Sequence, residues 1–274
     1  MFAFRYNYTS LTRKINHAMK KPLILVTNDD GISAPGLKAL VEVASEIGEL
    51  VIVAPDSPQS GQGHAITLKD PLRVHSAPTY NDRFEAYECS GTPVDCVKFA
   101  RDLLLKDRTI DLCISGINHG SNASINIIYS GTMSAAMEAS ISGIDSIGFS
   151  LLDYSWDADF EQAKPFIRNI ILQTLEHKLS GTNLLNVNIP NVKRADIKGI
   201  RICKQANAAW SEAYVEATDP RGGKYYWLTG EFNEHDSDES TDLWALKNGF
   251  ISVVPSKHDL TAYEALEQLH WLNQ

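Results

Sequence analysis

Nowhere in the 274 residues do about 18 apolar positions follow one another, so the sequence offers no membrane-spanning helix. Cysteine is scarce. Cys89, Cys96, Cys113 and Cys203 stand 7, 17 and 90 residues apart, a spacing that fits neither a zinc site nor a redox pair. Four reduced, mostly buried thiols in a reducing cytoplasm are expected instead. Positive charge is also short, with 25 Lys and Arg against 34 Asp and Glu and a net charge of −9. A protein that binds nucleic-acid polymers needs a basic surface to neutralise phosphates, so that class is disfavoured. A small phosphorylated ligand is not, because a few local donors or one metal ion can hold it.

Three familiar motifs are missing. No G-x-x-x-x-G-K-[ST] loop occurs, and Gly61 and Gly63 fail as a dinucleotide fingerprint because Ile66 stands where the third glycine belongs. No G-x-S-x-G elbow occurs either, so serine-hydrolase chemistry is unsupported. What is present is ordinary for a globular protein: 43% hydrophobic and 22% charged residues. A chain of this mass buries about 73% of its unfolded surface, enough for a core without disulfides or a structural metal.

Residues 1–21 carry five Lys or Arg and no acid, without the apolar centre of a secretory signal. Residues 1–18 are expected to be an extension upstream of the fold, with Met19 opening it. From there, short buried strands alternate with helices: Leu23–Thr27, helix 34–47, strand 50–54, helix 94–105, strand 110–115, helix 132–142, strand 144–150, helix 159–178 and strand 184–189. Residues 64–90, broken by Pro71 and Pro78, read as antiparallel hairpin structure inserted into that pattern. The order predicts a three-layer α/β/α Rossmann-like sandwich with a mostly parallel sheet over residues 19–190. Residues 191–274 predict strands at 197–203 and 249–254, a last helix at 261–269 and, over 210–232, an aromatic hairpin. That hairpin could cover its own core or dock on a partner subunit. The acidic stretch 231–242 reads as a solvated loop, with metal capture as a minor reading.

In parallel α/β sheets, ligands bind beyond the carboxyl ends of the strands. After the first strand stand Asn28-Asp29-Asp30-Gly31. Adjacent carboxylates there are costly unless a cation or hydrogen-bond donors hold them, although helix capping is an alternative. After the second strand comes a small polar loop from Pro55 to His64, and after the strand at 110–114 comes Ser115-Gly116-Ile117-Asn118-His119-Gly120-Ser121-Asn122. Tyr129-Ser130-Gly131-Thr132 runs into a helix, whose free amides suit either a phosphate or simple capping. His64 and His119 are candidates for a phosphate donor or general acid, or plain loop residues. Carboxylate, hydroxyl and amide oxygens without a His/Cys set select a hard cation, and a hard cation beside an anion site suggests metal-assisted phosphate-ester hydrolysis.

VTNDDG at 26–31, VAPDSPQSGQGHAIT at 53–67, SGTPVDCV at 90–97, SGINHGSN at 115–122 and YSGTMSAAMEA at 129–139 together resemble the SurE family of stationary-phase survival proteins. DPRGGKYYW at 219–227 and NGFISVVPSKHDLT at 248–261 extend the resemblance, which covers about residues 20–262. It implies a divalent-metal-dependent 5′/3′-nucleotidase with some activity on short polyphosphate, using one Mg²⁺ or Mn²⁺ per subunit. The metal ligands it implies are Asp29, Asp30, Ser60 and Asn118. The phosphate contacts are Asn122, Ser130, Gly131 and Thr132. Asp29 is assigned a catalytic role as well, as general base or as nucleophile. The resemblance further implies a homodimer or homotetramer in which the aromatic hairpin reaches across subunits. Met133, where the family often has Val, and the N-terminal extension are small departures.

Two other readings compete with this one. One is a regulatory protein that binds nucleotides without turnover. The other is an aspartyl-phosphate enzyme of the haloacid-dehalogenase pattern, which wants D-x-D where this chain has adjacent Asp29-Asp30.

Overall fold

The computed structural model describes residues 21–80, 83–155, 157–236 and 238–273; the extension expected at 1–18 lies outside them. The elements run β1 Leu23–Thr27, α1 Pro35–Ser45, β2 Glu49–Pro55, β3 Val74–Ser76, β4 Glu85–Cys89, α2 Pro93–Phe99, β5 Leu112–His119, α3 Asn126–Tyr129, α4 Gly131–Ile141 and β6 Ser146–Leu151. Then follow α5 Lys164–His177, β7 Leu184–Ile189, β8 Ile200–Ile202, β9 Ala208–Thr218, β10 Lys224–Glu234, α6 Asp242–Lys247 and β11 Ile251–Ser256. Among the described residues, nine strands form one sheet in the order β3-β4-β2-β1-β5-β6-β7-β11-β8. From β4 through β7 all neighbours are parallel.

The period of two along β1 builds the three layers. Ile24 and Val26 enter one core with Leu37, Leu40 and Ala44 of α1 and Ile167 and Ile171 of α5. Leu23 and Leu25 enter the opposite core with Cys96 and Val97 of α2 and Ala135 and Ala139 of α4. A strand apolar on both faces must be covered on both, which makes this a doubly covered parallel sheet. All four cysteines are free and buried. No helix among the described residues is long and apolar enough to cross a membrane.

Several expectations are corrected. The inserted β3–β4 hairpin is antiparallel as expected, but β4 also pairs parallel with β2 and so belongs to the main sheet. The helix expected over 94–105 is α2 followed by a π-helical stretch at Ala100–Leu104. The helix expected over 159–178 is a 3₁₀ turn at Phe160–Gln162 followed by α5, whose first turn holds Pro165, a residue suited to starting a helix rather than continuing one. β5 extends to His119, so part of the expected loop is strand, with an irregular register between Ser115 and Asn118. The final helix is replaced by 3₁₀ turns at Tyr263–Ala265 and Glu267–Leu272. Leu266, Leu269 and Leu272 stay exposed there, so the apolar packing that sustains most helices is missing. Asp242, expected in a solvated loop, is fully buried at the start of α6.

Candidate active site

The carboxyl ends of β1 and β5 converge on the N-terminus of α4. Asn28 makes the exit turn from β1, its Nδ2 donating to Gly31 O at 3.0 Å, and Gly31 holds φ at 99°, a left-handed value glycine adopts freely. Asp29 is thereby buried beneath α4. The Thr132 hydroxyl donates to Asp29 Oδ1 and lies 3.4 Å from Asn118 Oδ1, so three residues of the implied site meet at one hydroxyl. Gly131 completes the contact by having no side chain. A Cβ there would stand 2.7 Å from Asp29 Cβ and 2.9 Å from Oδ2.

The electrostatics are those of an anion pair short of compensation. Burial pushes the Asp29 carboxyl up to about 6, the neighbouring Asp30 charge adds to this, and hydrogen bonds from Thr132 and nearby amides oppose it. Burial also raises Asp30, against the pull of His119. Asp30 Oδ2 is buried without a hydrogen-bond partner, a costly state that a cation would relieve. The donors gathered here are carboxylate, amide and hydroxyl oxygens, and no three His, Cys, Asp or Glu residues cluster as a metal site among the described residues. The orphaned oxygen and the all-oxygen donor set fit a hard divalent cation.

Ser60 is exposed on the loop after β2. That loop is pinned by Gln59 N donating to Asp29 O at 2.8 Å and Gly63 N donating to Tyr129 O at 3.2 Å. Ser130 caps α4, its Oγ accepting from Met133 N at 3.0 Å, so capping is real here. The amides of Gly131 and Thr132 are not consumed by that cap. Asn122 is buried and turned into the protein. Its Nδ2 donates to Ser150 Oγ at 2.8 Å and its backbone N to Asn188 Oδ1 at 2.8 Å, while its carbonyl accepts from Asn186 Nδ2 at 2.8 Å. His64 Nε2 lies 3.1 Å from Glu138 Oε2. His119 places Nδ1 2.9 Å from Ser155 O and packs edge-on against Phe160.

Four supporting residues escaped the sequence reading. Asn186 and Asn188 alternate along β7, and amides inside a buried strand were the available signal. Glu138, on α4, gathers His64, Lys98 at 2.7 Å and Arg101 at 3.4 Å. Burial raises its carboxyl, yet the hydrogen bonds from Lys98 and His64 outweigh that and leave it below the usual range. Asp242 accepts amide hydrogen bonds from Ser124 at 2.8 Å and Ala206 at 2.9 Å, with burial holding its carboxyl above the usual range.

The family model described as survival protein SurE matches residues 24–212. A 5′-nucleotidase SurE of Flavobacterium psychrophilum is 58% identical over 92% of this chain and 98% of its own length. One of Chlorobaculum tepidum is 41% identical over 91% and 94%. The crystal structure of a SurE protein from Aquifex aeolicus superposes with a TM-score of 0.80 at 38% identity, covering 92% of this chain and all of its own. The motifs around Asp29, Asn118 and Ser130 all fall within the matched segment, and the chain belongs to the SurE family.

Proposed function

We propose that the chain is a divalent-metal-dependent phosphatase that hydrolyses nucleoside 5′- and 3′-monophosphates, with short-chain polyphosphate as a further substrate. The observation that carries this is the buried Asp29 beside half-buried Asp30, one Asp30 oxygen orphaned, set against the N-terminus of α4. The relatives' common name supports the same substrate class. Asp29, Asp30, Ser60 and Asn118 are the residues that would hold the cation, Mg²⁺ or Mn²⁺ by their all-oxygen character. Bound there, it supplies Lewis-acid charge to the phosphoryl oxygens and makes water a competent nucleophile near neutral pH.

The chain's own groups do the rest. Ser130 and the Gly131 and Thr132 amides, at the positive end of α4, hold and orient the phosphate. Asn122 fixes the loop in front of them. Asp29 either takes the proton of the attacking water or attacks phosphorus itself, and the Thr132 hydroxyl fixes its carboxylate. The hairpin supports assembly as a homodimer or homotetramer. Among the described residues β9 and β10 pair only with each other, and they leave Tyr214, Tyr226, Trp227 and Leu228 exposed. A cytoplasmic location completes the reading.

The test is phosphate release from nucleoside 5′- and 3′-monophosphates with EDTA, Mg²⁺ or Mn²⁺. Release that EDTA stops is expected. Binding without release under every cation would instead establish the regulatory nucleotide-binding protein, and a phospho-aspartate trapped at Asp29 would make that residue the nucleophile rather than the base. His64 is tested in the same assay. Its contact with Glu138 makes it an anchor of the Ser60 loop. His64→Gln should raise KM about threefold to tenfold, the worth of one hydrogen bond to a charged group, and change kcat less. A general acid at this position would instead lose kcat about a hundredfold.

A further inference from the structure

Two hydrogen-bonded ties join the root of the β9–β10 hairpin to the loop that leads into α4. The first is buried. Asp242 accepts from Ser124 N at 2.8 Å with one carboxylate oxygen and from Ala206 N at 2.9 Å with the other. Ser124 returns a bond from its hydroxyl to Ala206 O at 2.8 Å. Ala206 lies just before β9, and the hairpin closes beside it through His235 N donating to Asn207 O at 2.9 Å. The second tie is exposed: Trp210 Nε1 donates to Asn126 Oδ1 at 2.9 Å. Trp210 is itself steadied by Phe232 across the hairpin, with ring centroids 5.2 Å apart.

What these ties hold is a conformation the chain does not favour unaided. Ser124 has φ of 56°, in the left-handed region that non-glycine residues rarely adopt. Its amide donates to Asp242 and its hydroxyl to Ala206 at the hairpin root, while its carbonyl accepts only a long local bond from Ile127 N at 3.4 Å. Six residues later the chain reaches Ser130 and the amides of α4. Asn126 opens α3, the short helical turn that ends at Tyr129, so the second tie acts on the segment between the strained residue and the phosphate-binding end.

We infer that Asp242 and the Trp210–Asn126 pair are positioning residues that couple the seating of the hairpin to the affinity of the α4 N-terminus for a phosphate group. This rests on the proposed phosphatase reading for its ligand class. It gives the aromatic hairpin a role toward its own subunit's site, distinct from any contact it makes with another subunit.

The experiment measures binding of inorganic phosphate by calorimetry with Mg²⁺ present, which needs no turnover. Trp210→Phe keeps an aromatic ring against Phe232 while removing the N–H donor and one of the two fused rings. Asn126→Ala removes the acceptor. Each should weaken phosphate binding about threefold to tenfold, as loss of one hydrogen bond implies, with thermal midpoint and oligomeric state unchanged. The double variant should be no worse than the single ones, because all three delete the same bond. Asp242→Asn should weaken phosphate binding further and speed hydrogen exchange at the Ser124 amide. Should that variant fail to fold, the Trp210 and Asn126 pair still decides. Unchanged phosphate affinity in Trp210→Phe and Asn126→Ala overturns the coupling. Phosphate binding by the wild type without nucleotide hydrolysis would overturn the phosphatase reading and leave the coupling standing.

Discussion

Asp29→Asn and Asp30→Asn should each lower kcat/KM for a nucleoside monophosphate by about a thousandfold or more, the scale seen when a group acting at the reacting centre is removed. The metal-free proteins should meanwhile be no less stable than the wild type. The sign follows from linkage. Asp29 is raised from 3.8 to about 6 in the fold, first by burial and then by Asp30. Between those values the folded state binds more protons than the unfolded chain, so stability falls as pH rises through the window. At pH 7 the ionised pair costs the metal-free fold roughly 2–3 kcal/mol. Asparagine keeps an oxygen for the Thr132 hydroxyl and removes one of two facing charges. In EDTA at neutral pH, Asp29→Asn should therefore melt several degrees above wild type. In Mn²⁺ the order should reverse, because only the wild type gains cation-linked stability. Thermal melts in both conditions, beside the kinetics, check this. Near-normal turnover in both variants would remove the pair from the chemistry, and a lower melting point in EDTA would show that the carboxylates serve the fold.

The strands and the site loops were legible for the same physical reason. LILVT at 23–27 and LLNVNI at 184–189 are apolar enough to be buried on both faces, and both strands fall where their sequences place them. The loops after such strands had to carry the polar groups, and Asp29, Asn118 and Thr132 do meet there. What the sequence hides are contacts that only tertiary structure creates. Asp242 stands in a run of acids that reads as solvated, yet it is the member carried inward to hold Ser124 and Ala206. Glu138 looks like a surface position of α4, yet His64, Lys98 and Arg101 from two other segments close over it. Nothing in its loop announces that the Asn122 side chain and both its backbone groups enter a buried amide network with Ser150, Asn186 and Asn188. Helix ends were misplaced where local devices decided them. The Thr92–Asp95 capping box fixes the start of α2, and Pro165 splits the segment that reads as one long helix.

Gly131→Ala separates a glycine kept for the site from one tolerated by the helix. Gly131 is the first residue of α4, and on helix propensity alone alanine would stabilise this turn by up to about 1 kcal/mol. The neighbourhood says the opposite. The added Cβ would face Asp29 Cβ at 2.7 Å, Oδ2 at 2.9 Å and Cγ at 3.1 Å, all well inside van der Waals contact. Asp29 cannot swing aside cheaply. It is buried, its carboxylate is bonded to Thr132 and its carbonyl accepts from Gln59 N. Relief therefore requires moving α4 or the β1 exit, and overpacking of this kind costs typically about 1–3 kcal/mol. The clash outweighs the propensity gain, so the melting temperature should fall where the helix alone would raise it. Activity should fall much more, by about a hundredfold, since displacement of a reacting group by about 1 Å is enough for that loss. Kinetics at saturating Mn²⁺ with a parallel melt would read both effects. A more stable variant of normal activity would show that the close approach of Gly131 to Asp29 has no part in holding the carboxylate in place.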